Sequence, residues 1–400
     1  MRRLALVFSL VLALTSLTSG QTPRVIAIGD IHGSIEGISG ILKAAGLIDA
    51  SHNWIGGKAA LLQTGDYMDR GENVRAVLDL LIALEPQAKD AGGRALALLG
   101  NHEVMNLLGE TRDANAPIYA KFSDAQSEAR RQKGWKDYSA LGATKMARGE
   151  AVPYIYRQPQ EAWMEAHPPG YIEYREAIGP KGKYGPWLRG KPMVTSFGGS
   201  IFMHAGIPAA TAPAKIDDLN DKLKDEVRRM DRFVQRLVDR KLALPFFTLQ
   251  EIVQIALGEV TAANTLIADA KASGKELDRS LLDVPLLTDA QEILKVDKWL
   301  SLDPEGALWY RGLSTEAEDE AGGPFLPLLT RYGAQRFVTG HTPTTDRRIW
   351  VRFGGRAVLI DTGMNTAVYK GRASALEIDG ERLTAIYEDG RVPLWPRATP

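Results

Sequence analysis

The sequence predicts an α/β protein. Three observations carry that reading: short apolar runs that each stop at a glycine, helical apolar spacing between them, and polar strand-end motifs returning about every 35 residues, at Asp30, Asp66 and Asn101. Residues 24–28 form the first apolar run, ending at Gly29. Residues 35–47 place Ile35, Ile38, Ile41, Leu42 and Ala45 on one helical face. Residues 59–63 are the second strand, followed by Gly65, and residues 74–84 the second helix, with Val74, Val77, Leu78, Leu81 and Ile82 on one side. Residues 94–99 are the third strand, followed by Gly100. Such a period suits a strand plus a crossover helix, so the three strands are expected to lie parallel. Ligand-bearing groups in such sheets gather at the carboxyl ends of the strands.

The middle of the chain changes character. Residues 110–195 carry scattered Trp and Tyr, many charges, and Pro168, Pro169, Pro180, Pro186 and Pro192. They read as an inserted helical and loop region lying over the site. Residues 200–203 return to strand, and residues 214–300 read as a second, mainly helical insert, with helices over 223–244 and 249–270. Residues 316–323, acidic and glycine-containing, read as a mobile loop. Residues 335–338, 348–353, 357–360, 373–378 and 383–387 are strand candidates. Gly354-Gly355 and Asp379-Gly380 supply hairpin turns between them.

Composition removes several chemistries. Among 400 residues, 49 Lys and Arg balance 49 Asp and Glu, which argues against a nucleic-acid partner. The absence of Cys excludes disulfides, thiolate zinc sites, iron–sulfur clusters and a Cys nucleophile. Any transition metal must be held by imidazole, carboxylate or amide oxygen, so the six His become informative. Arg2 and Arg3, the apolar run 4–17 and the small residues Thr18-Ser19-Gly20 read as a signal peptide over residues 1–20. The catalytic domain is then 21–400, exported to the periplasm or secreted, with no stable membrane insertion after cleavage. Without Arg2 and Arg3, 47 basic residues face 49 acidic ones.

Five short motifs place metal-ligand side chains after strands: Gly29-Asp30-Ile31-His32-Gly33, Gly65-Asp66-Tyr67-Met68-Asp69-Arg70-Gly71, Gly100-Asn101-His102-Glu103, Met203-His204-Ala205-Gly206 and Thr339-Gly340-His341-Thr342. In an extended segment Asp30 and His32 point to the same side and are able to grip one ion. Any one motif alone reads as a capped turn or a structural histidine. Together they supply carboxylates, an amide oxygen and imidazoles in a number that suits a dinuclear metal site. His52 and His167 lack such contexts and read as surface or loop residues.

These residues resemble the calcineurin-like metallophosphoesterases, and within them the phosphoprotein phosphatase branch, whose GDxHG, GDxxDRG and GNHE signatures stand here as GDIHG, GDYMDRG and GNHE. The HAG and GHTP forms, Leu308-Trp309-Tyr310-Arg311-Gly312 and the signal peptide look most like the bacterial Shewanella-like phosphatases. The resemblance implies a two-sheet β-sandwich core flanked by helices, with helical insertions over the active site. It implies that Asp30 and His32 bind one metal, that Asp66 bridges two, and that Asn101, His204 and His341 complete the second. It implies His102 as general acid, oriented by Asp69, with Arg70 and Asn101 facing the phosphate and Arg311 as the second phosphate arginine. Two cations roughly 3.5–4 Å apart activate water and neutralise phosphate charge, and guanidinium groups bind phosphate oxygens bidentately. Oxygen and imidazole ligation suits Mn, Fe or Zn.

The implied activity is hydrolysis of phosphorylated proteins, with phosphotyrosine or phospho-Ser/Thr as the ester, or of small phosphomonoesters. Two other readings stand beside it: a nucleotide hydrolase resembling the diadenosine tetraphosphatases, and a non-catalytic phosphate-binding protein. The sequence departs from the eukaryotic Ser/Thr enzymes in the segment from Ile360 to Asn365, where they carry a SAPNY-type loop, so their substrate and partner preferences do not transfer. The aromatics Trp135, Tyr138, Tyr154, Tyr156, Trp163, Tyr171 and Tyr174 either line a cleft for an aromatic ring or, for most of them, pack the insert's own core.

Overall fold

The computed structural model describes residues 24–147, 154–319 and 321–396; the expected signal peptide lies outside them. Strands β1 (Val25–Ile28), β2 (Ala60–Gln63) and β3 (Arg94–Ala97) run parallel, joined by helices α1 (Ile35–Ala44) and α2 (Val74–Asp90). Helix α3 (Asn101–Leu108) follows β3. The sheet continues on the other side of β1 as an antiparallel meander of β9 (Ser374–Asp379), β10 (Arg382–Tyr387) and β11 (Gly390–Trp395), giving the order β11-β10-β9-β1-β2-β3. The second sheet holds β4 (Val194–Phe197), β5 (Ser200–Met203), β6 (Arg336–Thr339), β7 (Trp350–Arg352) and β8 (Ala357–Leu359), in the order β4-β5-β6-β8-β7.

Alternation along the strands explains the layering. Val25 and Ala27 of β1 turn toward a core shared with Phe202, Val338, Val358 and Leu376, which draws on strands of both sheets. Ile26 and Ile28 turn the other way, into the large core that includes Ile38, Ile41 and Leu42 of α1. β1 is therefore apolar at every position, and each fully buried Ile or Val contributes about 1.5–3 kcal/mol of transfer free energy. The two-sheet sandwich flanked by helices is the architecture the sequence implied, and the Gly354-Gly355 and Asp379-Gly380 turns join the antiparallel pairs β7/β8 and β9/β10.

Four local expectations need correction. β4 begins at Val194, inside the range read as insert, because Thr195 and Ser196 interrupt its apolar pattern. β11 escapes a sequence reading because Arg391 and Pro393 break it; as an edge strand it tolerates a residue without an N–H. Of the segment 316–323 read as a mobile loop, residues 316–319 are anchored: Glu318 accepts bonds from Phe353 N at 2.6 Å and Arg352 Nε at 2.9 Å. His167 is a core residue, not a surface one. It is buried and stacked on Trp163 with ring centroids 4.0 Å apart, and its Nδ1 lies 2.7 Å from Trp163 O. Tyr138, Trp163, Tyr171 and Tyr174 are likewise buried, so these aromatics pack the insert's own interior. Among the described residues, no helix is long and apolar enough to cross a membrane.

Candidate metal centre

All five strand-end motifs meet at one edge of the sandwich. Three histidines there have their orientation fixed by a backbone carbonyl on one ring nitrogen. His204 Nδ1 lies 3.1 Å from Thr64 O, His341 Nε2 lies 3.0 Å from Trp309 O, and His32 Nδ1 lies 3.0 Å from Met68 O. A carbonyl only accepts, so each of those nitrogens carries the proton and the opposite nitrogen presents a bare lone pair. The bare nitrogens point inward. His204 Nε2 is 2.8 Å from Asn101 Oδ1, 3.0 Å from His341 Nδ1 and 3.3 Å from Asp66 Oδ2. His32 Nε2 is 3.6 Å from Asp66 Oδ2 and 3.9 Å from Asp30 Oδ2. Two imidazole lone pairs, an amide oxygen and a carboxylate oxygen converge with no proton to separate them. This arrangement fits a bound cation, and the donor set of nitrogen and oxygen fits a divalent transition metal.

Two ligand clusters share one residue. Asp66 joins His32 and His102 on one side, and His204 and His341 on the other. Its Oδ1 accepts from His102 N at 3.1 Å, which leaves Oδ2 facing both clusters. Burial opposes its charge, but His204, His102 and His32 outweigh that and hold the carboxyl well below its usual range. Asp30 behaves oppositely. Burial, then Asp361, then Asp66 push it well above the usual carboxylate range, and Asp361 itself is raised to about 6, chiefly by burial. Burial lowers His32 to about 3, so its Nε2 stays unprotonated at neutral pH. Burial likewise holds His341 well below its ordinary value.

The loops reach this geometry through unusual backbone. Asp30 and His32 do converge, but not along an extended segment: His32 turns left-handed at φ 45°. Asp66, Asp69, Arg70 and His341 also sit at positive φ, between 59° and 67°. Glycine is required at Gly100 and Gly340, where a Cβ would collide with Asp66 Oδ1 and Asp30 Oδ1 respectively. Glu103, which the sequence reading did not single out, braces the second loop. Its carboxylate accepts from Asp66 N, Tyr67 N, Met68 N and Gly100 N at 2.7–2.9 Å. Burial and Asp66 raise it to about 7, while those N–H groups oppose the rise.

His102 is arranged differently from the other three. Its Nδ1 meets Asp69 Oδ2 at 2.9 Å, and its Nε2 faces Asp66 Oδ2 at 3.8 Å. Burial disfavours its charge, but Asp66 and Asp69 prevail and raise it to about 9, so the imidazole holds a proton. Asp69 is itself fixed by Asn106 Nδ2 at 2.9 Å, and Asn106 Oδ1 accepts from Tyr174 OH at 2.6 Å. Asn106 was not readable as part of a site, although it lies one helical turn beyond His102, and Tyr174 was expected only among the aromatics of the insert. Arg70 Nη1 is 3.3 Å from His32 Nε2, and its Nε is 3.8 Å from Asp113 Oδ1. Arg311 lies against the other cluster, donating to His341 O at 3.2 Å and Thr342 Oγ1 at 2.8 Å, with its side chain exposed. All ten site residues expected from the sequence thus belong to one contiguous region; His52 stands in a turn apart from it at φ 65°.

A two-sheet α/β sandwich with two ligand clusters sharing a carboxylate defines a phosphoester hydrolase that binds divalent metal ions. Residues 23–236 match the calcineurin-like phosphoesterase family, and the chain belongs to it. The chain is 30% identical over 212 residues to Shewanella-like protein phosphatase 2 of Arabidopsis thaliana, covering 50% of this chain and 51% of that one. It is 23% identical over 368 residues to Shewanella-like protein phosphatase 1 of Plasmodium berghei, covering 91% and 74%. The fold is that of a cold-active protein-tyrosine phosphatase from a psychrophilic Shewanella species, with a TM-score of 0.54 at 22% identity over 93% of this chain and 80% of that one.

Proposed function

We propose that the protein is a dinuclear metal-dependent phosphatase of phosphorylated proteins, acting on phosphotyrosine or phospho-Ser/Thr. The observation that carries this reading is the inward convergence of bare nitrogens from His204, His341 and His32 on the shared Asp66 carboxylate. Asp30, His32 and Asp66 would hold one ion, and Asp66, Asn101, His204 and His341 the other. Mn, Fe or Zn suit those donors. Such a pair supplies charge neutralisation and water activation for phosphoester hydrolysis.

The remaining groups handle the substrate. Arg70 and Arg311 flank the two clusters and bind phosphate oxygens. His102 Nε2–H, held in position by Asp69, donates its proton to the departing alkoxide or phenoxide. Asn106 and Tyr174 keep Asp69 in place, so the proton donor is set by a chain of fixed hydrogen bonds. No Cys is needed as a nucleophile. The names of the Arabidopsis and Plasmodium relatives, both Shewanella-like protein phosphatases, support a phosphoprotein substrate. Export to the periplasm is supported by the pattern of residues 1–20, and N-terminal sequencing of the mature protein tests it.

Metal analysis with a substrate panel tests the main reading. The expected result is about two ions per chain and a higher kcat/KM on phosphopeptides than on dinucleoside polyphosphates. A much larger kcat/KM on the polyphosphates, or metal-replete protein that leaves p-nitrophenyl phosphate untouched, overturns it.

A further inference from the structure

Residues 362–372 form a closed loop after β8. Its ends are tied together, Arg372 N donating to Thr362 O at 3.1 Å and Thr362 Oγ1 to Arg372 O at 2.7 Å. Within it, the Asn365 side chain donates to His32 O at 2.7 Å. The short helix Thr366–Tyr369 then carries the half-buried Tyr369 ring to the metal centre. That ring stacks on His32, with centroids 5.5 Å apart and planes 28° apart. The Arg70 guanidinium lies over the same ring, its Cζ 5.4 Å from the centroid. Gly363, at φ 73°, makes room for this arrangement, because a Cβ there would stand 2.8 Å from Tyr369 Cβ.

Three side chains therefore hold the Arg70 head group, and they hold it differently. His32 Nε2 lies 3.3 Å from Nη1, Asp113 Oδ1 lies 3.8 Å from Nε, and Tyr369 offers its ring. The first contact is not compatible with a loaded centre, because an ion on His32 takes the Nε2 lone pair. The second is long, and Asp113 also faces Arg112 Nε at 3.5 Å. The third attracts the cation through the π system and consumes none of its N–H groups. We propose that Tyr369 is a positioning residue: its ring holds the Arg70 guanidinium beside the metal centre and leaves the outer nitrogens free for phosphate oxygens. This role rests on the phosphatase reading, which makes Arg70 a phosphate ligand.

Calorimetric titration of the metal-loaded full chain with inorganic phosphate tests it without turnover. Tyr369→Leu and Tyr369→Met keep apolar bulk but remove the π face, and each should weaken phosphate binding by about 3- to 30-fold with metal content unchanged. Tyr369→Phe keeps the face and should stay within about twofold of the wild type. In an Arg70→Gln background, Tyr369→Leu should change phosphate affinity by less than about twofold, because the cation it acts on is gone. An unchanged Kd in both non-aromatic variants, an equal loss in the Arg70→Gln background, or loss of metal from Tyr369→Leu overturns the role, as does a wild type that binds no phosphate. Wild type that shows these contrasts yet leaves p-nitrophenyl phosphate intact sinks the phosphatase reading and leaves the role of Tyr369 standing.

Discussion

His32 and His167 are both buried imidazoles held below their ordinary pKa chiefly by burial, to about 3 and about 4. Each also sets its Nδ1 against a backbone carbonyl, Met68 O and Trp163 O respectively, but the rest of their surroundings differ. Around His167 stand Trp163, Tyr171 and Phe246, with ring centroids at 4.0, 4.8 and 5.8 Å, and its ring Nδ1 meets a backbone carbonyl. Around His32 stand two carboxylates, a second imidazole at 4.8 Å and a guanidinium. The insert uses a histidine as a flat ring. The strand-end loops use it as a lone pair. Burial and a lowered pKa therefore do not mark a site by themselves; converging donor atoms that share no proton do.

That contrast is open to direct attack, beginning with the largest effect. Asp66→Asn removes the charge common to both clusters and should remove bound metal and activity together. The expected loss in kcat is more than about 10³-fold, beyond the 10–100-fold typical of groups that only orient a ligand; metal analysis alongside phosphate release measures it. His102→Asn should leave metal content intact while lowering kcat by about 10²–10⁴-fold. A variant that kept its kcat on a poor leaving group would break the distinction drawn between His102 and the three lone-pair histidines.

Trp163→Ala acts on the other region. It should cost about 3–5 kcal/mol of stability in a denaturant titration while folded protein keeps its metal, because an aromatic wall is lost and no ligand is touched. His167 sharpens the comparison through pH. Its folded pKa of about 4 lies below the unfolded value near 6.5, so between those limits the unfolded chain binds more protons. Its contribution is complete above about pH 6.5 and is lost as pH falls toward 4, amounting to about 3 kcal/mol at most. Replacing it as His167→Phe should flatten the stability curve over that window. The smallest effect belongs to Tyr174→Phe, which removes one buried hydrogen bond to Asn106. About 1 kcal/mol of stability and a modest fall in kcat without loss of metal are expected.

The parallel strands, their crossover helices and the five motifs were legible because each is local: a glycine, a ligand-type side chain and an apolar run lie within a few residues. The sandwich was legible only through the resemblance, since pairing of β9 with β1 joins residues some 350 positions apart. Glu103 had a weak local signal, its position three residues after Gly100 at a helix start, which is capping-box spacing. Tyr174 and Asp361 had none. Each enters the site through folding alone, 68 residues from Asn106 in one case and across from Asp30 in the other. His167 misled because the adjoining Pro168-Pro169 reads as loop, whereas its ring is fixed by Trp163 four residues earlier.

The left-handed backbone at His32, Asp66, Asp69, Arg70 and His341 bears on how this protein responds to selection. Each such residue costs the fold about 1–2 kcal/mol that glycine would not. Library members chosen for heat tolerance alone should therefore accumulate Gly or Asn at these five positions, and would lose the centre by small, individually favourable steps. Retention of all five side chains in a thermally selected lineage would be a sign that catalysis was under selection as well.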